Sequence, residues 1–294
     1  MKFQILILHS IGFNMLGLGH TLVRGSFLSG FENKFALDFD GSDDYALAGI
    51  SGQDPANDTI KPITPTGFTV AAWVRLDNAE DPYNTTSSHV ILSTAINGGW
   101  SLKYQNKRFV FGVKTVDGDG NLVNTAASTG YAKMRTPTSG TDYARYLYKS
   151  DGWHFVVGTW DGNKIKQIYV DGDRSQAGTG AQDGSSQFGS SPEDSDSKKT
   201  ENDASGGAWQ IKWDSTLDRE EIDLIVGAVP NFTQATDVTT AVSEFWEGQI
   251  GDFAVWDKEL SQAEIKALYN LHVPTDMSKT QAGNLQGYWK AEEG

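Results

Sequence analysis

The feature that most constrains the fold is a pair of alternating segments in residues 151–173, DGWHFVVGTWDGNKIKQIYVDGD. In the first segment Trp153, Phe155 and Val157 fall on one side of a pleat and the residues between them on the other, which is the period of two expected of a β-strand. The Asp-Gly-Asn sequence at 161–163 supplies residues that tolerate the positive φ of a tight turn. Residues 165–170 alternate in the same way, so the stretch predicts a β-hairpin with one face in a core.

The composition extends this prediction to the whole chain of 294 residues. Aromatic residues make up 11%, and the 9 Trp and 32 Gly fit many short strands separated by turns better than a helical protein. The chain contains no Cys, which excludes disulfides and thiolate metal sites. Acidic residues outnumber basic ones 38 to 24 and give a net charge of −14, which disfavours nucleic acid as a partner because phosphate binding depends on Lys and Arg.

Four motifs follow one another in an order that resembles a known superfamily. They are FALDFDGSDDYALAG at 35–49, FTVAAWVRL at 68–76, the hairpin at 151–173, and GQIGDFAVWDKELSQAEIKALYN at 248–270. Together they are similar to the laminin G-like, concanavalin A-like jelly-roll superfamily. The resemblance implies an all-β fold, a concanavalin A-like jelly-roll β-sandwich with one short C-terminal helix. It does not imply one activity, since lectins, adhesion modules, glycosidases and structural proteins share this fold.

We expect a single jelly-roll domain over residues 31–294, with insertions near 117–148 and 176–207. The helix is predicted to begin after Ser261, because Ser261 and Glu264 form a capping box ahead of an apolar stripe at helical spacing.

Residues 1–30 are expected to form an N-terminal arm. Their apolar residues are mixed with Gly and polar groups, and the apolar run is too short to span a bilayer. No clear leader-cleavage site precedes Gly25, although a secretory leader stays an alternative. We expect the arm to dock on its own domain or on a neighbouring copy.

Acidic residues crowd the first predicted strand and its turn, at Asp38, Asp40, Asp43 and Asp44. In the family the closing strand, which here carries Asp252, runs beside this first strand, and related jelly-rolls bind a structural Ca²⁺ where the two meet. The resemblance therefore implies a Ca²⁺ site at Asp40, Asp43 and Asp252, and carboxylates suit such a hard cation. The alternative is that these residues serve turn geometry, which Asp and Gly favour.

Aromatic residues in predicted loops are candidates for carbohydrate contact. Trp100 follows a Gly-containing turn, and Tyr131 and Tyr143 lie in the first predicted insertion. Such rings stack on sugars through their apolar faces. The alternative for each of them is packing under a loop or in an interface.

One short stretch, EIDLIV at 221–226, is similar to the catalytic strand of laminarinase-type glycoside hydrolases of this fold. Alternation places Glu221 and Asp223 on one face, but Ile225 and Val226 stand where a final acid/base Glu would be needed. A retaining glycosidase requires two carboxyl groups about 5–5.5 Å apart flanking the scissile bond. We therefore predict that the protein is not an enzyme.

The predicted function is a non-catalytic surface module that attaches to a glycan or a host-cell surface. The segment MLGLGHTLVRGSFLSGFENK at 15–34 resembles laminin G-like proteins of marine viruses and phages, which are virion surface components. The resemblance implies a virion-surface or extracellular location, a capsid-decoration, fibre or adhesin role, and contact with neighbouring copies or other virion proteins through the arm. Two alternatives stay open: a polysaccharide-degrading hydrolase or lyase, and a purely structural assembly protein.

Overall fold

The structure is a computed structural model, and it describes part of the chain. The described residues are 6–9, 35–48, 67–77, 88–94, 100–105, 108–113, 115–116, 131–135, 153–162, 165–174, 198–200, 210–211, 224–230, 242–270 and 273–291. Within these ranges, no helix has the length and apolar character needed to cross a membrane.

Strands dominate the described chain. They are β1 Leu6–His9, β2 Leu37–Asp40, β3 Asp44–Ala48, β4 Phe68–Leu76, β5 Ser88–Ser93, β6 Trp100–Gln105, β7 Arg108–Val113, β8 Thr115–Val116, β9 Tyr131–Arg135, β10 Trp153–Trp160, β11 Ile165–Val170, β12 Lys198–Thr200, β13 Gln210–Ile211, β14 Leu224–Val226, β15 Val229–Pro230, β16 Val242–Ser243, β17 Glu247–Trp256 and β18 Leu285–Trp289. The α-helix α1 spans Gln262–Tyr269, and short 3₁₀ helices follow at Met277–Lys279 and Ala282–Asn284.

Most strands belong to two large antiparallel sheets. Sheet A has the order β1-β3-β14-β5-β6-β7-β9, and sheet B has the order β12-β11-β10-β4-β17-β18 with β2 also paired to β17. The two sheets enclose one apolar interior, which confirms the predicted all-β jelly-roll sandwich with a short C-terminal helix. The first and closing strands of the predicted domain are neighbours as expected, since Asp38 of β2 lies opposite Gln249 of β17.

The hairpin predicted at 151–173 lies within sheet B. β10 and β11 pair with Val156 opposite Val170. Asp161 holds the turn between them, because its N–H donates to the Ile165 carbonyl (3.0 Å) and its Oδ1 accepts from the Ile165 N–H (2.9 Å). β10 also pairs with β4 along its whole length, so the hairpin is fixed on its second edge as well.

The interior between the sheets is rich in aromatic rings. Phe68 of β4 has its ring centroid 5.8 Å from Trp100, 5.9 Å from Phe111 and 5.8 Å from Trp160. These rings come from both sheets. Burying one such side chain stabilises a fold by about 1.5–3 kcal/mol, so this cluster is a principal contact that holds the sheets together.

A buried polar pair lies beside this interior. His154 Nδ1 is 2.8 Å from Asp171 Oδ2, and the two side chains are 0% and 1% exposed. Asp171 Oδ1 accepts from the Phe155 N–H at 2.9 Å, and Asp171 has φ 54°. The carboxylate thus joins the start of β10 to the end of β11.

Helix α1 packs on the outer face of sheet B. The predicted capping box is confirmed, since the Glu264 N–H donates to Ser261 Oγ (3.3 Å) and Glu264 Oε2 accepts from the Ser261 N–H (2.7 Å). The helix ends at Asn270, which adopts the left-handed conformation at φ 44°. Ile265 and Leu268 are the buried residues that attach it to the sheet.

The predicted arm and both predicted insertions each contain a strand. β1 lies in the arm and pairs with β3, with Leu8 opposite Tyr45. β9 lies in the first insertion and pairs with β7, and β12 lies in the second and pairs with β11. These strands have three to five residues, which is too short for an alternating pattern to be distinctive. The division of the chain at residue 30 stays a prediction.

Candidate functional site

The outer face of sheet B is buried by apolar packing. Trp73 and Phe155 on this face have ring centroids 5.1 Å apart, and Trp256 Nε1 donates to the Thr280 carbonyl at 2.8 Å. The buried apolar cluster comprises Ala36, Ala71, Trp73, Trp153, Phe155, Val157, Tyr169, Ala254, Trp256, Leu260, Ile265, Leu268 and Met277. Helix α1 and the segment after it therefore cover this face.

Part of the outer face of sheet A, over β5, β6 and β7, carries polar side chains, whereas over β3 and β14 the same face is buried and apolar, at Tyr45 and Ile225. β6 alternates, with its aromatic and leucine side chains in the core and Ser101, Lys103 and Gln105 facing away from it. On β7 the outward positions are Arg108, Val110 and Gly112, of which only Arg108 is polar. Ser88 of β5 lies opposite Gln105. Of these five polar residues all but Lys103 are half-buried, and the Lys103 side chain is 11% exposed. We call the five polar residues the polar face.

A carboxylate from a distant part of the chain meets this face. Glu244 Oε2 lies 3.2 Å from Lys103 Nζ and also accepts from Ser88 Oγ at 2.5 Å. The backbone carbonyl of Glu244 accepts from the Val90 N–H at 2.8 Å. Glu244 has φ 55°, in the left-handed region that non-glycine residues rarely adopt. The surrounding contacts therefore fix both its backbone and its side chain.

A second group of polar residues lies in the turn between β2 and β3. Asp40 Oδ1 accepts from the Ser42 N–H (2.8 Å) and the Asp43 N–H (3.3 Å), and Asp44 Oδ2 accepts from the Asp40 N–H (3.1 Å). Gly41 has φ 77°, which lets the chain reverse tightly. The turn chemistry that the sequence suggested for these residues is thus present.

Three carboxylates of this turn are also close enough to share a cation. One oxygen from each of Asp40, Asp43 and Asp44 lies within 4.8 Å of the other two. Burial raises the pKa of the nearby Asp38 carboxyl, and repulsion from Asp77 and Asp44 adds to the effect. An oxygen-rich acidic group of this kind fits a hard cation such as Ca²⁺. Asp40 and Asp43 come together as predicted, with Asp44 as their third member.

The prediction that Asp252 completes this group is wrong. Asp40 lies opposite Glu247, and Asp252 is five residues further along β17, about 16 Å away at strand spacing. Asp252 lies in the irregular stretch of β17 and accepts from Tyr288 OH (2.7 Å) and the Ala291 N–H (3.1 Å). Burial raises the pKa of Tyr288, and the Asp252 carboxylate raises it further. Asp252 therefore anchors the C-terminal strand.

The three predicted sugar-contacting residues have different outcomes in the structure. Trp100 is 1% exposed and lies on the core side of β6, so its ring is not open to a sugar and that prediction is wrong. Tyr131 begins β9, paired with Gly112, and stays a prediction. Tyr143 lies outside the described residues, as do Glu221 and Asp223.

Sequence reasoning missed the polar face. The signal was present in WSLKYQ, where polar residues alternate with apolar ones over β6, but not in β7, whose sequence RFVFGV has only Arg108 as a polar residue. Glu244 carries no such signal, because its contacts with Lys103 and Ser88 join residues 141 and 156 positions apart.

Comparison with known proteins gives one family and several solved structures. The sequence profile of the concanavalin A-like lectin/glucanases superfamily matches residues 40–197. No curated protein matches the chain. The structure is similar to the receptor binding domain of the botulinum neurotoxin C/D mosaic serotype, at 13% identity and TM-score 0.46, covering 92% of this chain and 46% of that one. It is also similar to the binding domain of botulinum neurotoxin DC in complex with rat synaptotagmin II, at 14% identity and TM-score 0.45, covering 92% and 46%.

The chain spans about half the length of these solved chains. The profile match covers more than half of the 294 residues, beginning at the last residue of β2 and running past β11. It includes the hairpin at 151–173 and the strands that build the centres of both sheets. Since the sequence match and the two-sheet architecture agree, the chain belongs to the concanavalin A-like lectin/glucanase superfamily.

Proposed function

We propose that this protein is a non-catalytic attachment module that binds a glycan or a cell surface through the polar face of sheet A. The observation that carries the proposal is the contrast between the outer face of sheet B and the polar face on β5, β6 and β7 of sheet A. The outer face of sheet B is covered by apolar packing, whereas Ser101, Gln105 and Arg108 are half-buried polar residues on adjoining strands of sheet A. Polar groups held on rigid strands are well placed to bind sugar hydroxyls in a fixed geometry.

The residues of this face support the absence of catalysis. β5, β6 and β7 contain no Asp or Glu, and Glu244 beside them is bound to Lys103 and Ser88. A retaining glycosidase requires two carboxyl groups flanking the scissile bond. A hydrolase or lyase of the same fold is the alternative, and Glu221 and Asp223 are the residues it would use.

We propose, more specifically, that the attachment module acts outside the cell or on a virion surface, as a capsid-decoration, fibre or adhesin protein. The support is the resemblance of residues 15–34 to laminin G-like virion surface proteins. The arm would contact neighbouring copies or other virion proteins. β1 pairs with β3, so at least this part of the arm docks on its own domain.

A glycan array tests the proposed function. We expect the full chain to bind a subset of glycans, and Ser101→Tyr to lower those signals by more than about tenfold because the added ring covers the polar face. Ala267→Tyr adds the same ring to an exposed position of α1 and should leave binding unchanged. An equal loss in both variants, or binding that survives Ser101→Tyr, would place the binding site elsewhere. Release of reducing ends from a bound polysaccharide would favour the hydrolase.

We also propose that Asp40, Asp43 and Asp44 hold a structural Ca²⁺ in the β2–β3 turn. The support is the 4.8 Å grouping of their oxygens and the acidity of the surrounding turn. A bound cation would neutralise repulsion among these carboxylates and stabilise the turn at the edge of sheet B. Asp43 is the best residue to alter, because Asp40 also accepts the hydrogen bonds that form the turn.

Calcium is expected to raise the melting temperature of the protein. If Ca²⁺ binds only the folded state, a hundredfold excess over its Kd adds about 2.7 kcal/mol of stability. Scanning calorimetry with Ca²⁺ and with EDTA measures this effect. Asp43→Asn should abolish most of the response, whereas Asp276→Asn, a matched change in the C-terminal segment, should preserve it. An identical melting temperature of the unaltered chain in Ca²⁺ and in EDTA would show that the turn does not bind Ca²⁺.

A further inference from the structure

Lys103 places a nearly buried cation on the polar face. Its side chain is 11% exposed, and it stands in β6 between Val90 of β5 and Val110 of β7. Both cross-strand neighbours are apolar, so the ammonium group has lost much of its hydration. A cation in this position requires an anionic partner, because an unpaired buried charge is strongly destabilising.

The carboxylate of Glu244 is an anionic partner of Lys103, and the Glu244 backbone has a constrained conformation. Its Oε2 accepts from both Lys103 Nζ and Ser88 Oγ. The Glu244 side chain is 32% exposed, and its backbone lies in the left-handed region at φ 55°. The contact therefore joins a nearly buried cation to a carboxylate that reaches solvent and that is held by an unfavourable backbone conformation.

We propose that Lys103 and Ser88 form an anion subsite on the polar face, and that Glu244 occupies it as an internal competitor for the carboxylate of an acidic glycan. Exchange of one carboxylate for another keeps Lys103 paired, so no buried charge is left uncompensated. The Glu244 side chain is already 32% exposed, so its displaced carboxylate moves into water and is hydrated there. Glu244 then weakens the binding of every anionic ligand at this subsite.

The donors at the subsite indicate the class of ligand. A uronic acid offers a carboxylate equivalent to the one it displaces, and its ring hydroxyls can bind the neighbouring Gln105, which lies opposite Ser88. The inference rests on the proposed glycan-binding function of the polar face and adds the charge of the glycan that it prefers.

Isothermal titration with trigalacturonate and with its methyl ester tests this inference. The ester has the same sugar rings without the charges, so the unaltered chain should bind the acid more tightly than the ester. Glu244→Gly removes the competing carboxylate and suits the left-handed backbone, and it should tighten binding of the acid about fivefold. Lys103→Met should abolish the preference for the acid. Asp77→Asn removes a negative charge from an exposed position just after β4 of sheet B and should leave both affinities unchanged.

Melting temperatures of all variants show whether each is folded. Ser88→Ala removes one hydroxyl donor without touching the charge of Lys103, and it should weaken binding of the acid more than that of the ester. Equal binding of acid and ester by the unaltered chain, or an unchanged affinity in Glu244→Gly, overturns the inference while leaving the proposed glycan binding intact. Binding of neither compound, together with an empty glycan array, overturns both.

Discussion

Asp171→Ala is expected to lower the free energy of unfolding by about 3–5 kcal/mol, because each of two buried donors left without a partner costs about 1–3 kcal/mol. The Asp171 carboxylate accepts from His154 Nδ1 at 2.8 Å and from the Phe155 N–H at 2.9 Å, and alanine would leave both donors buried without it. Alanine also fits poorly at φ 54°. Urea unfolding followed by tryptophan fluorescence measures the change.

Asp171→Asn provides the matched comparison. Asparagine tolerates the left-handed backbone and retains an oxygen for the Phe155 N–H, so its effect should be about 1–2 kcal/mol. Asp77→Ala, at an exposed carboxylate, should change stability by less than about 0.5 kcal/mol. Equal stability of Asp171→Ala and the unaltered chain would contradict the structural role given to the buried pair.

Gly248→Ala is expected to destabilise the protein by about 3–5 kcal/mol, because it combines backbone strain with a clash against fixed atoms. Gly248 has φ 130°, and a Cβ there would lie 2.3 Å from the Arg75 carbonyl oxygen and 2.6 Å from the Asp77 nitrogen. Both are backbone atoms of β4 and the residue that follows it, so neither can move without disturbing the centre of sheet B. Thermal and urea unfolding report the loss.

Gly283→Ala is the control for this substitution. A Cβ at Gly283 would meet nothing within 4 Å, so alanine there should be neutral or slightly stabilising. A similar loss of stability in both variants would mean that the effect at Gly248 does not come from its close contact with β4.

The sequence was informative where structure depends on residues close together in the chain. The period of two in residues 153–160, the turn at Asp161 and the capping box at Ser261 each involve neighbours within a few positions, and each is confirmed. The Asp40–Asp43 grouping was predictable for the same reason, since both lie in one turn.

The two wrong predictions, for Trp100 and Asp252, concern surroundings that depend on which strands pair and which face of a strand is buried. Trp100 follows a Gly-containing turn, which predicts exposure, but it lies on the same face of β6 as Leu102 and Tyr104 and so points into the core. Asp252 lies on the strand that pairs with β2, as predicted. The pairing ends at Ile250, however, and Asp252 contacts Tyr288 instead.

The sequence by itself determined the class of fold, because alternation and turn residues specify strands and their connections over short distances. Alternation also marks two faces on each strand, but it does not say which face will be covered. The tertiary structure decided that α1 covers sheet B and that polar side chains on β5, β6 and β7 of sheet A stay half-buried. It also brought Glu244 to Lys103 across 141 residues, a contact that depends on the order of strands in the sheets.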